Sequence, residues 1–133
     1  MAVSKSLVFI NRKAPYGTIY ALEALEVMLI AGAFEQQVKL LFIDDGVYQL
    51  TRDQDPGGIG MKNFSRTFGA LGDFAIEQIY VDDESLDLRG LTIDDLQPLK
   101  HENTDGVEQA SIRIITRNEI ADIIDSADML FNF

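Results

Sequence analysis

Short apolar runs recur along this chain at Ser6–Ile10, Val38–Ile43, Ile76–Val81, 110–116 and 128–133, and each ends where polar residues begin. The first does not alternate apolar with polar positions, so it reads as a strand buried on both faces. The segments between the runs carry helical spacing or turn residues. Strands separated by helices form βαβ units, and these require a parallel sheet covered on both sides. The expected fold is therefore α/β: one three-layer domain over 1–133, with a mostly parallel five-stranded sheet and helices on both faces. A flavodoxin-like winding is the expected strand order.

Helical spacing is predicted over 16–34, in a short turn at 46–50, over 61–74 with Phe64, Phe68 and Leu71 on one face, and over 84–89, where Gly90 stops it. Thr116 followed by Glu119 forms a capping box that opens a helix over 117–126. Residues 52–60 read as a loop from their Pro and Gly content. Residues 91–106 read as an irregular acidic loop with a helical turn at 93–96.

The 133 residues are 47% hydrophobic, enough for one domain with a real core. A net charge of −11 argues against direct nucleic-acid binding, which needs clustered Lys and Arg. Much of the acid lies between Asp82 and Glu108 and is expected to form a solvated edge, the alternative being a docking surface for a basic partner. No signal peptide is evident, and the longest uncharged apolar stretch, Val27–Phe34, is far short of the ~20 residues a membrane span needs. A cytoplasmic location without membrane attachment is expected.

Absent residues restrict the chemistry. The chain contains no cysteine, so disulfides, thiolate–zinc sites and thiol or persulfide chemistry on the chain itself are excluded. Its one histidine, His101, lies in a polar stretch and cannot build a multi-histidine metal site. No metal or cofactor is expected. A phosphorylatable receiver would need acids after the first strand to hold Mg²⁺, where this chain has Asn11, Arg12 and Lys13.

The segment 16–34 is apolar almost all round, with only Glu23 and Glu26 drawing a polar stripe. A helix covering a sheet in a monomer shows water a polar face about half its circumference wide. The outer side of this one is expected to meet another subunit.

Ligands of open parallel sheets gather beyond the carboxyl ends of the strands. Those ends carry Asn11-Arg12-Lys13, Asp44-Asp45-Gly46, Asp82-Asp83-Glu84 and Thr116-Arg117. The loop Asn11–Thr18 could cradle an anion or nucleotide, but it lacks a phosphate-loop glycine pattern. In the plainer reading Pro15 and Gly17 shape the turn, while Arg12 and Lys13 pair with Asp44 and Asp45. "PGGIGMK", 56–62, reads as flexible chain rather than a phosphate loop. A hydrolase or transferase built on Asp82 and Ser85 is a further alternative that no spacing supports.

The stretches "NRKAPYGTIYALEALEVMLIAGAF", "VKLLFIDDGVYQL", "GIGMKNFSRTFGALGDF" and "IEQIYVDDESLDLRGL", in that order, resemble the DsrE/DsrF-like sulfur-relay family, and its DsrF/TusC branch in particular. The similarity runs from Ser6 to about Leu96 and returns at "SADMLFNF". It implies a small α/β subunit of a heterohexameric sulfurtransferase with DsrE/TusD-like and DsrH/TusB-like sister subunits. Such a complex passes persulfide sulfur to a DsrC/TusE-type acceptor. In the DsrE/TusD subunit the acceptor cysteine follows the third strand, where this chain has Asp82. The resemblance therefore implies a non-catalytic subunit, with Arg12, Lys13, Tyr16, Glu23, Glu26, Asp45, Tyr48 and Gln49 at or near contacts. Asp82-Asp83-Glu84 would also surround a thiolate with negative charge, opposite to the field a relay needs. The cysteine-free strand end is more similar to the sulfur-oxidation type than to the tRNA-thiolation type.

Overall fold

The computed structural model of the chain describes residues 5–17, 19–52, 54 and 65–133. In order these form β1 (Ser6–Asn11), α1 (Tyr20–Ala33), β2 (Gln37–Phe42), 3₁₀ helices at Asp44–Leu50 and Ser65–Phe74, β3 (Gln78–Asp82) and α2 (Asp83–Leu88). A 3₁₀ turn at Ile93–Asp95, the hairpin strands β4 (Lys100–Glu102) and β5 (Glu108–Ala110), then β6 (Ile112–Ile115), α3 (Arg117–Ser126) and β7 (Met129–Asn132) follow.

The five-stranded sheet runs β6-β3-β2-β1-β7, every neighbouring pair parallel. The α/β architecture expected from the sequence is present. The winding differs from the flavodoxin order, in which the first strand lies between the second and third. Here β1 lies between β2 and the last strand, so the chain steps outward through β2, β3 and β6 before α3 returns it to β7. Local patterns of strand and helix are identical for either order, and the sequence could not separate them.

Strands β1, β2, β3 and β6 divide their side chains between two cores. Leu7, Phe9, Leu40, Phe42, Ile79 and Val81 face a core shared with Ala24, Leu25 and Met28 of α1 and with Phe68 and Leu71. Val8, Leu41 and Ile115 face a smaller one closed by Ile120 of α3. Phe9 stacks on Phe131 with ring centroids 4.8 Å apart, fastening edge strand β7 to the centre of the sheet.

Four local expectations are corrected. The first helix begins at Tyr20 rather than 16, because Gly17 adopts φ +95°, a conformation that ends helical winding. The described part of the predicted helix over 61–74 winds as 3₁₀, and Phe68 and Leu71 reach the core as their spacing requires. Phe64, the stretch 56–62 and most of the loop over 52–60 lie outside the described residues. The acidic segment is not irregular throughout: β4 and β5 pair antiparallel, and Asn103 Oδ1 accepts from the Asp105 and Val107 amides to close the hairpin tip. The predicted strand over 110–116 is divided at Ser111, whose amide turns aside to Leu99 O.

The two caps form as the residue types dictate. Thr116 and Glu119 exchange the reciprocal bonds of a capping box at α3. Asp82 caps α2.

Candidate functional site

Because the chain leaves β1 in one direction and returns to its other side through β7, the topological switch point lies at the carboxyl ends of these two strands. Arg12, Lys13, Ala14, Asp44, Asp45, Asn132 and Phe133 line a crevice of about 460 Å³ there. The polar ends of β1 and β2 meet the end of β7 at this rim, while Asp82 and Arg117 lie farther along the same edge of the sheet, at β3 and after β6.

Three close contacts shape the rim. Asn11 is fully buried, and its Nδ2 donates to Phe9 O (3.2 Å) and Leu41 O (3.3 Å), tying the ends of β1 and β2. Gly46 lies against that junction, where a Cβ would stand 1.8 Å from Asn11 O. Only glycine admits so close an approach. Gln49, also buried, donates from Nε2 to Lys13 O at 2.8 Å and so holds the loop after β1 onto the Asp44–Leu50 helix.

The cations are distributed differently from the sequence expectation. Arg12 reaches Asp44 at 3.6 Å, as predicted. Asp45 is taken instead by Arg89 at 2.9 Å, and no ion pair of Lys13 occurs among the described residues. Arg89 also lies 6.0 Å from the centroid of the Tyr48 ring and donates from Nη1 to Ser85 O at 3.1 Å. Both exposed pairs contribute little stability in water, about 0–1 kcal/mol each, so their role is to orient the loops.

Asp82 is the most enclosed charge in the described structure, with no solvent exposure. Its Oδ2 accepts from the Ser85 amide (3.1 Å), the Ser85 hydroxyl (2.5 Å) and Arg117 Nη2 (2.9 Å). Ser85 Oγ in turn accepts from the Asp44 amide at 2.9 Å, and Arg117 Nε reaches Glu84 at 2.8 Å. One carboxylate thus links the end of β3, the start of α2, the start of α3 and the loop after β2.

Arg117 corrects the expectation that negative charge alone surrounds this strand end. Its guanidinium bonds both Asp82 and Glu84, so a cation stands among the carboxylates of this strand end. Arg117 and Arg89 are the site residues that sequence reasoning missed. Arg117 was visible at the end of the fourth expected strand, but its proximity to Asp82 follows only from the β3–β6 pairing.

The structure brings Asp82 and Ser85 together, yet as a buried cap rather than an accessible pair. Ser85 has its hydroxyl proton engaged by Asp82 and shows no surface to a substrate. His101, the sole histidine, lies elsewhere, bonded through Nδ1 to Ser111 Oγ at 2.9 Å. Among the described residues no three His, Asp or Glu side chains converge as metal ligands would. No helix among them is long and apolar enough to cross a membrane.

The remaining sequence candidates fall in two places. Tyr16 and Tyr48 line a shallow recess of about 350 Å³ beside the rim. Glu23 and Glu26 stand exposed on α1, Glu23 beside Lys13, Asn132 and Phe133 at a second recess of about 440 Å³.

Comparison with known proteins places the chain by family and by fold. The model of the DsrE/DsrF-like family matches residues 5–133. The intracellular sulfur oxidation protein DsrF of Allochromatium vinosum is 51% identical over 133 residues, covering 98% of each chain. A TusC homolog from Pseudomonas aeruginosa is 39% identical over 89 residues, covering 67% of this chain and 75% of the relative. One from Vibrio parahaemolyticus is 38% identical over 90 residues, covering 68% and 76%. The crystal structure of the ychN protein from E. coli superposes with a TM-score of 0.72 at 22% identity, covering 97% of this chain and 99% of that one, a likeness of fold. With the family model spanning all but the first four residues and a relative half identical along its length, this chain belongs to the DsrE/DsrF-like family.

Proposed function

We propose that this chain is a non-catalytic subunit of a cytoplasmic DsrEFH-like sulfurtransferase, holding sister subunits that carry persulfide sulfur to a DsrC/TusE-type acceptor. The observation that carries the reading is Asp82. At the strand end where the DsrE-type subunit carries its acceptor cysteine, this chain has a fully buried carboxylate bonded to Ser85 and Arg117. A relay requires a thiolate that can be reached and can leave, and a capped aspartate is neither.

The rim and α1 then serve assembly. Arg12, Lys13, Tyr16, Asp45, Tyr48 and Gln49 hold the loop shapes that neighbours read, and the outer face of α1 buries against sister subunits. Sulfur oxidation is favoured over tRNA thiolation, because similarity to the DsrF protein spans 98% of both chains while the TusC homologs match about two thirds of this one.

Co-expression with the DsrE-like and DsrH-like proteins of the same genome, followed by size measurement, tests the reading. One complex containing all three chains is expected. A monodisperse monomer that ignores its companions would refute it.

A further inference from the structure

Tyr20, Glu23, Val27, Ile30 and Phe34 follow one another along α1 and its carboxyl end at intervals of three and four residues. Such spacing lays side chains in a single seam, as in helices that pack knobs into holes. Every member is at the surface: Tyr20 is 49% exposed, Val27 36%, Ile30 57% and Phe34 72%. Met129 of edge strand β7, on the sheet face that α1 covers by its pairing with Leu7, is a further apolar side chain at the surface, 48% exposed. Four large apolar side chains in register on one exposed helix face are unusual for a surface in contact with water.

Glu23 is the single charge within the seam, with Glu26 exposed at its flank, so a partner that covers the seam meets a carboxylate. Its carboxylate makes no ion pair among the described residues, although Lys13 lines the same recess. A second copy of this chain is a poor partner. Parallel self-pairing sets Glu23 against its own copy. Antiparallel self-pairing centred on Val27 sets it against Ile30, twice. Both arrangements draw a carboxylate out of water without supplying it a cation from the facing helix, a cost that a basic residue on the partner would lift.

We propose that the α1 seam docks an amphipathic helix of a different chain, whose apolar stripe is interrupted by one Lys or Arg that meets Glu23. A polar residue at a seam position selects its partner by penalising the wrong one, at some cost in affinity. The proposal deepens the subunit reading and rests on it: Glu23 is the feature of α1 that makes the assembly heteromeric.

The test uses the whole chain. Sedimentation of wild type and Glu23→Leu measures self-association, and Glu23→Leu is expected to self-associate at least about tenfold more tightly. Val27→Asp in that background should abolish the gain. Fluorescence anisotropy then measures two synthetic amphipathic helices that differ only in a Lys or a Glu at the position facing Glu23. Wild type is expected to prefer the Lys helix by about tenfold or more, and Glu23→Lys to reverse the preference. Wild type that already dimerises through the seam, with Glu23→Leu unchanged, would assign the surface to a second copy and overturn the proposal. So would equal binding of both helices or binding of neither.

Co-expression with the sister subunits separates the two readings. A complex that forms but ignores Glu23→Lys sinks the seam assignment and leaves the subunit role standing. Absence of any complex sinks the role, while the helix measurements still decide the chemistry of the seam.

Discussion

Replacing Asp82 by Ala removes three bonds at once, and their worth can be worked out one by one. The cap on α2 contributes about 1 kcal/mol, as exchanging such a cap for Ala usually costs. The Ser85 hydroxyl, buried with its acceptor gone, adds about 1–1.5 kcal/mol. Arg117 is half exposed and regains water when its partner leaves, so this pair adds only about 0.5–1 kcal/mol. The expected loss is therefore about 3 kcal/mol, and a fall in Tm of roughly 10 °C for a chain of this length. Asp82→Asn keeps an acceptor for the cap and loses mainly the ion pair, so it should cost about 1 kcal/mol. Urea unfolding followed by far-ultraviolet circular dichroism measures both, at one protein concentration so that assembly does not shift the midpoint. If Asp82→Ala unfolds within about 0.5 kcal/mol of wild type, the carboxylate does not organise the rim. Equal losses for Ala and Asn would show instead that charge, not the cap, is what matters.

Three further outcomes follow from the packing. Gly46→Ala places a methyl carbon against Asn11 O, a backbone atom that cannot give way, and should cost at least about 3 kcal/mol or prevent folding in the same urea assay. Thr116→Ala should cost about 1 kcal/mol through loss of the capping box on α3, and Thr116→Ser should restore most of it. A double-mutant cycle of Phe9→Leu and Phe131→Leu should give a coupling of about 0.5–1.5 kcal/mol, and a coupling near zero would remove the stacking as the anchor of β7.

Much of this fold was legible because its signals are local. The buried strands announce themselves as apolar runs, since a strand covered on both faces has no polar positions to show. The Thr116–Glu119 box and the Gly90 stop place their helix ends to within a residue. The hairpin β4–β5 escaped because its strands have three residues each and bury almost nothing, leaving no periodicity to read. What closes it is the Asn103 side chain and the positive φ of Gly106, features that look like any polar loop in the sequence. The sheet order escaped for a different reason: whether β3 or β7 takes the second side of β1 changes no local pattern.

The rim shows the same division. The Asp82 cap is a local feature, with Ser85 three residues on, but the helix predicted over 84–89 starts one residue late and so passes over it. The cation of Asp82 is not local, since Arg117 is 35 positions away and arrives only when β6 pairs with β3. The Arg12–Asp44 pair was foreseeable from adjacent loops, whereas Asp45 turning to Arg89 depends on how α2 packs over the Asp44–Leu50 helix.

On the proposed role, a chain with a capped aspartate in place of a thiol handles no sulfur itself. Intact-mass measurement of each subunit of the assembled complex, after incubation with a sulfane-sulfur donor, decides this. This chain should keep its unmodified mass while a sister subunit gains one sulfur atom. A sulfur adduct on this chain that is then delivered to the acceptor would contradict the account.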